Sequence, residues 1–439
     1  MLLGALRLKK AGLVLALLVW SSSMLISCGG GSPRIKLPPS RLNRRVMASQ
    51  SVSATFTLGG LFIVDVQNDT LARTSEVSAG SSPGFMAISP TRATLLAFDS
   101  GSNSVEVINT TTETNTGRIQ LSGPTTSLAI PTTSTGYAAV PTASSNLFAT
   151  PGGIEVMNLT SGAITTTIGS PGAQTVVSNS TGTQLLVFSN DSNSVNVISP
   201  ATALPPVDQG CDTAPNPVCT VVPGFDRPVG AIISGGTTYI LNCGAECGGT
   251  QASVQVLNLG TMTAGASVPV DGATVGFVTG STLYVAGTSP ANHACAGETT
   301  AAATCGRLDV VDLGSMKVTN RIVITDGYHD HLDMSSNGQL FIGSHGCTEV
   351  GNVNSPSGEV RGCLSIFNTA NRTVTIPPDN GDVTGLQSFT SLNKEYVAEG
   401  GNLRVYDTVK DKLLINNFIV AGTVNITGHI VDVKAVDFF

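Results

Sequence analysis

The sequence predicts an all-β protein, a β-propeller of four-stranded blades, and three observations support this prediction. One pattern recurs along the chain: an apolar strand, a turn rich in Ser, Asn and Gly, and a strand reading V-x-V-I. No predicted helix interrupts these repeats, and 49 glycines with only 12% charged residues suit short strands joined by tight turns. The chain also ends in a spare strand. A closed ring of such sheets protects their strand edges, which favours the propeller.

Before the repeats, residues 1–27 have the pattern of a secretory signal peptide. The basic residues Arg7, Lys9 and Lys10 precede the apolar run AGLVLALLVW, which is too short to form a membrane anchor. The run is followed by LISC, which resembles the lipobox of bacterial lipoproteins. That resemblance implies that the signal is cleaved before Cys28 and that Cys28 carries the lipid.

The next segment, residues 28–50, is predicted to be the lipidated cysteine followed by a flexible basic tether. It is rich in Gly, Ser and Pro, and it carries five basic residues and no acidic one. Gly29, rather than Asp, follows Cys28. In a Gram-negative cell the resemblance therefore implies a lipid-anchored protein of the cell envelope, sorted to the outer membrane and facing either side of it.

The remaining residues, 51–439, are predicted to form the propeller domain. They contain 14 basic and 29 acidic residues, which gives a net charge of −15. This charge argues against nucleic-acid binding, because phosphate recognition requires clustered Lys and Arg. Metal cations, basic peptides and solubility all remain compatible with it.

The number of blades follows from the repeat. LLAFDSGSNSVEVIN at 95–109 matches LLVFSNDSNSVNVIS at 185–199, and weaker copies follow in the same order. Each V-x-V-I strand is expected to end in a residue that forms an Asx-type turn. Eight such ends favour eight blades, with seven as the alternative if one unit is an irregular insertion. The ends are Asp65, Asn109, Asn158, Ser199, Asn258, Asp312, Asn368 and Asp407.

Closure of the ring is predicted from the two ends of this domain. The N-terminal unit offers three strands, SATFTL (53–58), LFIVDV (61–66) and RTSEVS (73–78). The C-terminal segment GHIVDVKAVDFF (428–439) offers a fourth. The final strand is therefore expected to lie innermost in blade 1 and to close the ring.

The copy ISPTRATLLAFDSGSNSVEVINTTTETNTGRI at 88–119 resembles the repeat of the YVTN-type (YncE-like) propeller family, and the resemblance spans about 51–439. Its SPTRA turn departs from the Asp-Gly of that family. The resemblance implies the propeller fold and, since the family includes surface-layer and cell-envelope proteins, an envelope location. It does not imply an activity, because one fold supports many functions. The catalytic patterns of related propellers, such as lactonases, are not recognisable here.

The cysteines other than Cys28 fall into four close pairs, which in an exported chain predict four local disulfides. Three pairs are expected in loops between the second and third strands of blades 5, 6 and 7, on the face that we call the top. The fourth is expected between the third and fourth strands of blade 4, on the bottom. The pairs are Cys243/Cys247, Cys295/Cys305, Cys347/Cys363 and, in blade 4, Cys211/Cys219.

The histidines are all expected on the top face, where neutral imidazoles could bind zinc or copper. His329 and His331 should share one side of a strand, because side chains alternate along it. A two-residue turn at Asn337–Gly338 would place His345 opposite Asp330. The alternative is that these side chains only order the rim of the channel. The candidate metal-binding residues are His293, His329, Asp330, His331, His345 and His429.

No catalytic motif is recognisable, so the sequence favours a protein that is not an enzyme without deciding the point. The predicted function is a binding or scaffold module that anchors to a membrane through its lipid. Its partner, a protein or a small molecule, would contact the disulfide-stapled top face. The alternative is a zinc- or copper-binding propeller, possibly an enzyme, with the histidine cluster at the channel mouth.

Overall fold

The computed structural model describes residues 38–51, 59–72, 76–142, 152–189, 191–212, 215–288, 305–347, 362–377, 381–410, 412–415 and 429–437. Its strands form eight sheets, which are the blades, and the innermost strand of each blade contacts the innermost strand of the next around a closed ring. The predicted all-β propeller with eight blades is therefore confirmed. Within the described residues, the helices are short 3-10 turns, and none has the length and hydropathy needed to cross a bilayer.

Each blade is an antiparallel sheet whose strands, from the channel outward, we call A to D. The A–B and C–D turns lie on the bottom face, and the B–C and D–A connections lie on the top face. Blade 2 contains β4 Pro83–Ile88, β5 Thr94–Asp99, β6 Ser104–Asn109 and β7 Thr114–Gln120. Blade 3 contains β8 Ser127–Ala129, β9 Thr135–Val140, β10 Gly153–Asn158 and β11 Ala163–Gly169. Blade 4 contains β12 Ala173–Ser178, β13 Leu185–Ser189, β14 Ser194–Ile198 and, after the two-residue β15 Val207–Asp208, β16 Cys219–Pro223.

The second half of the ring repeats this order. Blade 5 contains β17 Pro228–Ser234, β18 Thr237–Asn242, β19 Ser253–Asn258 and β20 Thr263–Pro269. Blade 6 contains β21 Val275–Thr279, β22 Thr282–Gly287, β23 Gly306–Asp312 and β24 Lys317–Ile324. Blade 7 contains β25 Tyr328–Met334, β26 Gln339–His345, β27 Leu364–Asn368 and β28 Val374–Thr375. Blade 8 contains β29 Val383–Phe389, β30 Lys394–Glu399, β31 Asn402–Asp407 and β32 Lys412–Ile415.

Blade 1 joins the two ends of the propeller domain. Its strands, from the channel outward, are β33 Ile430–Ala435, β1 Arg45–Gln50, β2 Gly60–Asp65 and β3 Thr70–Leu71. The prediction that the last strand lies innermost in blade 1 is confirmed. The prediction of a flexible tether over 28–50 is wrong for residues 45–50, because this stretch pairs with β33 on one side and β2 on the other. The predicted strand SATFTL lies outside the described residues, as do the signal peptide and Cys28.

Hydrophobic packing holds neighbouring blades together. Eight buried clusters occur among the described residues, one between each pair of adjacent blades. The V-x-V-I pattern supplies both faces of a blade: Val105 and Val107 pack towards blade 3, whereas Ile108 packs towards blade 1. Strand C is therefore buried on both faces, and for this reason the V-x-V-I pattern contains few charged residues.

In blades 3, 6 and 7 the x position of V-x-V-I carries a buried polar residue that binds the connection entering its own blade. The carboxylate of Glu155 accepts a hydrogen bond from the Ser122 amide at 3.1 Å, and Asp309 accepts one from the Asp271 amide at 2.6 Å. In blade 7 the hydroxyl of Ser365 accepts a hydrogen bond from the Thr325 amide at 3.1 Å. A buried polar group is stable only when it is hydrogen-bonded, so these contacts fix where the D–A connections lie.

The predicted turns after strand C are confirmed in six of the eight blades, whereas Ser199 and Asn258 make no such bond among the described contacts. In blade 2, Asn109 Oδ1 accepts hydrogen bonds from the amides of Thr111 and Thr112 at 2.9 and 3.0 Å. Such turns satisfy backbone donors where the chain reverses direction. Equivalent bonds are made by Asp65, Asn158, Asp312, Asn368 and Asp407.

Candidate functional site

A bulge in blade 7 determines where the histidines point. The observed pairs are Tyr328 with His345, His329 with Ser344, and His331 with Gly343, so the register shifts at Asp330. The predicted pairing of Asp330 with His345 is therefore wrong. The prediction that His329 and His331 share one side is wrong as well, because one extra residue between them turns their side chains to opposite faces.

The bulge brings Asp330 between two imidazoles. Its Oδ1 lies 2.5 Å from Nδ1 of His331, and its Oδ2 lies 3.2 Å from Nδ1 of His345. A neutral imidazole that donates its Nδ1 proton to a carboxylate keeps a lone pair on Nε2. All three side chains are partly exposed. Asp330, His331 and His345 thus form a polar group that can meet a ligand from solvent.

His329 lies on the other face of the strand and is completely buried. Its ring packs against Gly306 at the start of β23, where any side chain would collide with the ring and with the Thr325 carbonyl. Burial lowers the pKa of His329 to about 4. His329 is therefore a neutral residue of the interface between blades 6 and 7.

His429 does not contact this group in the described part of the chain. His429 precedes β33 in blade 1 with φ 67°, and its carbonyl accepts a hydrogen bond from the Ser51 amide. His293 lies outside the described residues. Of the five predicted metal ligands that the structure describes, three are brought together: Asp330, His331 and His345.

The ligand atoms of these three side chains do not converge on one point. Across the described part of the chain, the only three His, Cys, Asp or Glu residues whose ligand atoms all lie within 4.8 Å of one another are Cys347, Cys363 and Asp382. The two cysteines are joined in a disulfide, so neither offers a thiolate to a metal. Asp330 instead separates the imidazoles of His331 and His345.

The predicted disulfide connectivity is confirmed for three pairs, Cys211–Cys219, Cys243–Cys247 and Cys347–Cys363. The second and third are in B–C loops of blades 5 and 7, and the first is in the C–D loop of blade 4, as expected. The fourth predicted disulfide joins Cys295 to Cys305. Cys295 lies outside the described residues, and Cys305 is buried beside the start of β23.

Hydrogen bonds connect the top loops of three consecutive blades. Glu246, inside the Cys243–Cys247 loop, accepts a hydrogen bond through Oε2 from the amide of Thr288 at 2.8 Å. Thr288, where blade 6 begins its B–C loop, donates its hydroxyl to the Gly327 carbonyl at 2.8 Å. Burial raises the pKa of Glu246 to about 7, against the opposing effect of the Thr288 amide. Glu246 therefore changes charge near neutral pH.

The same surface continues into blades 7 and 8. The Tyr328 ring lies 5.3 Å from the ring of His345, and burial, with the nearby charges of Glu246 and Asp330, raises the pKa of Tyr328 to about 12. The amide of Gly346 donates to Asp382 Oδ1 at 2.9 Å. We call this set the top rim: Glu246, Thr288, Tyr328, Asp330, His331, His345 and Asp382.

Sequence reasoning missed four members of the top rim: Glu246, Thr288, Tyr328 and Asp382. Glu246 could have been found, because it is the only charged residue between the paired cysteines of the CGAEC segment. Tyr328 and Asp382 carry no comparable signal. Their position depends on how blades 7 and 8 pack, and no local pattern reports that.

The whole chain was compared with known proteins. No family model matches the sequence, and no curated protein matches it. Among solved structures, dihydro-heme d1 dehydrogenase NirN in complex with DHE is similar over 92% of this chain and 77% of its own, at 12% identity and a TM-score of 0.55. The computationally designed Ika8 protein is similar over 85% and 99%, at 11% identity and a TM-score of 0.52. These likenesses show the fold alone. The Pseudomonas aeruginosa periplasmic gluconolactonase PpgL matches more weakly, with 13% identity over 89% and 98% of the two chains and a TM-score of 0.45.

Proposed function

We propose that this chain is a lipid-anchored protein of the bacterial cell envelope, a YVTN-type propeller that binds a partner through its top rim without catalysis. The observation that carries the proposal is the hydrogen-bonded path from Glu246 through Thr288 to Gly327, which joins the top loops of blades 5, 6 and 7. Loops fixed in this way lose little conformational entropy on binding, which favours recognition of a partner.

The charge of the top rim indicates the chemistry of the partner. Glu246, Asp330 and Asp382 contribute carboxylates, and the domain as a whole is acidic. A protein segment or small molecule with positive charge is therefore the partner that the rim fits best. Electrostatic attraction of this kind raises association rates and weakens as salt rises.

Photo-crosslinking in cells tests the binding role. A photoreactive amino acid replaces Thr250, which is exposed in the B–C loop of blade 5, and in a second strain it replaces Thr261, which is exposed in the C–D turn of the same blade. We expect a discrete adduct from position 250 that disappears in the Asp330→Asn variant and is absent from position 261. No adduct at 250, or the same adducts from both positions, would contradict the proposal.

Lipid attachment is tested separately. The Cys28→Ala variant should leave the membrane fraction and should lose the mass of the lipid, because a diacyl anchor is the only membrane attachment that the proposal invokes. Wild-type protein in the membrane fraction with an unmodified Cys28 would contradict the anchor. That result would leave the binding experiment unaffected.

A second function is favoured by the contact of Asp330 with two imidazoles. A carboxylate that holds Nδ1 of His331 and His345 is the usual outer partner of metal-binding histidines, so Nε2 of either ring could bind Zn²⁺ or Cu²⁺. Titration of the purified protein with each metal, followed calorimetrically, checks this. Binding that survives in the double variant His331→Ala, His345→Ala, or its absence in wild type, would rule this function out.

A further inference from the structure

We infer that the bottom face of the propeller lies against the lipid surface and that the top rim points away from it. This inference rests on the proposed lipid anchor at Cys28. It is independent of what the top rim binds. Three properties of the molecule support it: where the N-terminal segment joins the ring, how far the preceding residues reach, and how charge is distributed between the two faces.

The N-terminal segment joins the ring on the bottom face. Ser40 donates its amide to Oε2 of Glu113 at 2.8 Å and its hydroxyl to Oε1 at 2.5 Å. Glu113 belongs to the C–D turn of blade 2, between β6 and β7. The guanidinium of Arg44 donates to Oε1 of Gln67 at 2.8 Å, in the C–D turn of blade 1. Both turns lie on the bottom face, so the chain is fixed there before strand β1 begins.

Arg45 secures this attachment in the interior. Its Nη1 lies 2.6 Å from Oε1 of Glu113, and its Nη2 lies 2.7 Å from Oδ1 of Asp437. The side chains of Arg45 and Glu113 are almost entirely buried. A buried, hydrogen-bonded ion pair resists opening because separating it would leave a charge unpaired. The position at which the tether leaves the ring is therefore fixed.

The segment between Cys28 and the ring has a limited reach. Nine residues lie between Cys28 and Pro38, so ten Cα–Cα steps join them. Ten steps span at most about 35 Å when a chain is fully extended. Strands of six or seven residues are about 20 Å long. Because the segment joins the ring on the bottom face, its length holds that face within about 35 Å of the lipid, whereas the top face lies about one strand length farther from the attachment point.

Charge favours the same orientation. The top rim is acidic, and Asp191, on the same face in blade 4, is fully exposed. The bottom face carries both signs of charge: the exposed side chains of Arg41, Arg372 and Lys410, and the partly exposed carboxylates of Asp65, Asp312 and Asp407. Anionic head groups attract basic side chains and repel carboxylates over about one Debye length. An anionic bilayer therefore repels the top rim more strongly than the bottom face.

The test uses a fluorescent amino acid at two positions of one blade. It replaces Thr111, exposed in the C–D turn of blade 2 on the bottom face, or Ser100, exposed in the B–C turn of the same blade on the top face. The lipid-anchored protein is reconstituted into phosphatidylcholine and phosphatidylglycerol vesicles with nitroxide-labelled head groups. We expect strong quenching at position 111 and none at position 100. Equal quenching at both, or stronger quenching at 100, would overturn the inference.

Mass spectrometry of the same sample separates this result from the anchor itself. Protein without lipid on Cys28 would contradict the proposed anchor. In that case the quenching experiment is repeated on protein that begins at residue 28, with a maleimide lipid coupled to the Cys28 thiol. The orientation is then still tested, because it depends on where the segment joins the ring and how far it reaches.

Discussion

At the residue scale, burial gives several ionisable groups opposite dependences on pH. The pKa of Glu246 is raised to about 7 and that of Asp309 to about 6. The contribution of each group to the stability of the fold is therefore lost as pH rises from its unfolded pKa to its folded pKa. His329 behaves in the other way. Its pKa is lowered to about 4, so its contribution is present above its unfolded value near 6.5 and is lost as pH falls towards 4.

The Glu246→Gln variant tests this assignment. Glutamine keeps an oxygen that accepts the Thr288 amide proton and removes the charge that burial disfavours. The variant should unfold at a higher urea concentration than wild type at pH 8, and at the same concentration at pH 4.5 or below. The gain is at most about 3 kcal/mol, from a pKa shift of 4.5 to about 7. A gap that does not change with pH would show that the pKa of Glu246 is the same in the folded and unfolded protein.

The sequence predicted some of these residues well and others poorly, for a physical reason. Disulfide partners could be inferred because cysteines a few residues apart in an exported chain have few other partners. The direction of the histidines could not, because one bulged residue at Asp330 reverses every side chain beyond it. Nothing in YHDH distinguishes a bulged strand from a regular one.

At the element scale, the blade depends on the turn after strand C. The side-chain oxygen of Asn109 accepts two backbone amides, and residues of the same type end strand C in five other blades with described Asx bonds. This contact is local in sequence, which explains why the strand ends could be predicted from the repeat alone.

The Asn109→Ala variant should lose roughly 1 kcal/mol of stability, because two amides of an exposed turn exchange a protein acceptor for water. Thr111→Ala in the same turn is the matched control. It keeps the backbone amide that bonds to Asn109 and should remain within about 0.5 kcal/mol of wild type. Chemical denaturation of both variants measures the difference. Similar losses in the two would indicate that the side chain of Asn109 is not what holds the turn.

One element could not have been predicted. Strand β15, in the long C–D loop of blade 4, pairs in parallel with β11 at the outer edge of blade 3. The Cys211–Cys219 disulfide closes the same loop. A two-residue strand has no periodicity to detect, and its partner is in another repeat unit. The loop therefore covers the edge of a neighbouring blade as well as connecting its own strands.

At the scale of the whole molecule, the ring is closed by contacts between its two ends. Pairing of β1 with β33 is supplemented by Arg45, which binds Asp437 through two hydrogen bonds and Glu113 of blade 2 through a third. Arg92 adds a link from the A–B turn of blade 2 to the carbonyls of Ala435 and Asp437. Blades 1 and 2 are thus held by charge as well as by apolar packing.

The Arg45→Ala variant should be destabilised by roughly 3 to 5 kcal/mol, because it leaves the buried carboxylate of Glu113 without its cation. Arg44→Ala is the control. It removes a neighbouring guanidinium whose hydrogen bond to Gln67 is exposed, and it should change stability by less than about 0.5 kcal/mol. Thermal unfolding of both variants measures the loss of stability relative to wild type. Equal effects would show that Arg45 does not secure the ring.

The contacts that close blade 1 also determine the order in which the blades can be completed. Arg45 and Asp437 are 392 residues apart, so the contact between them cannot form until nearly the whole chain is available. Blades 2 to 8 each take their strands A to D from one continuous stretch of chain, in the order in which the chain emerges. Strand β1 emerges before all of them, but it cannot pair with its inner neighbour until β33 has emerged. Blade 1 is therefore the first blade to begin and the last to be completed. Until β33 pairs with β1, the chain keeps an exposed strand edge that a chaperone could bind.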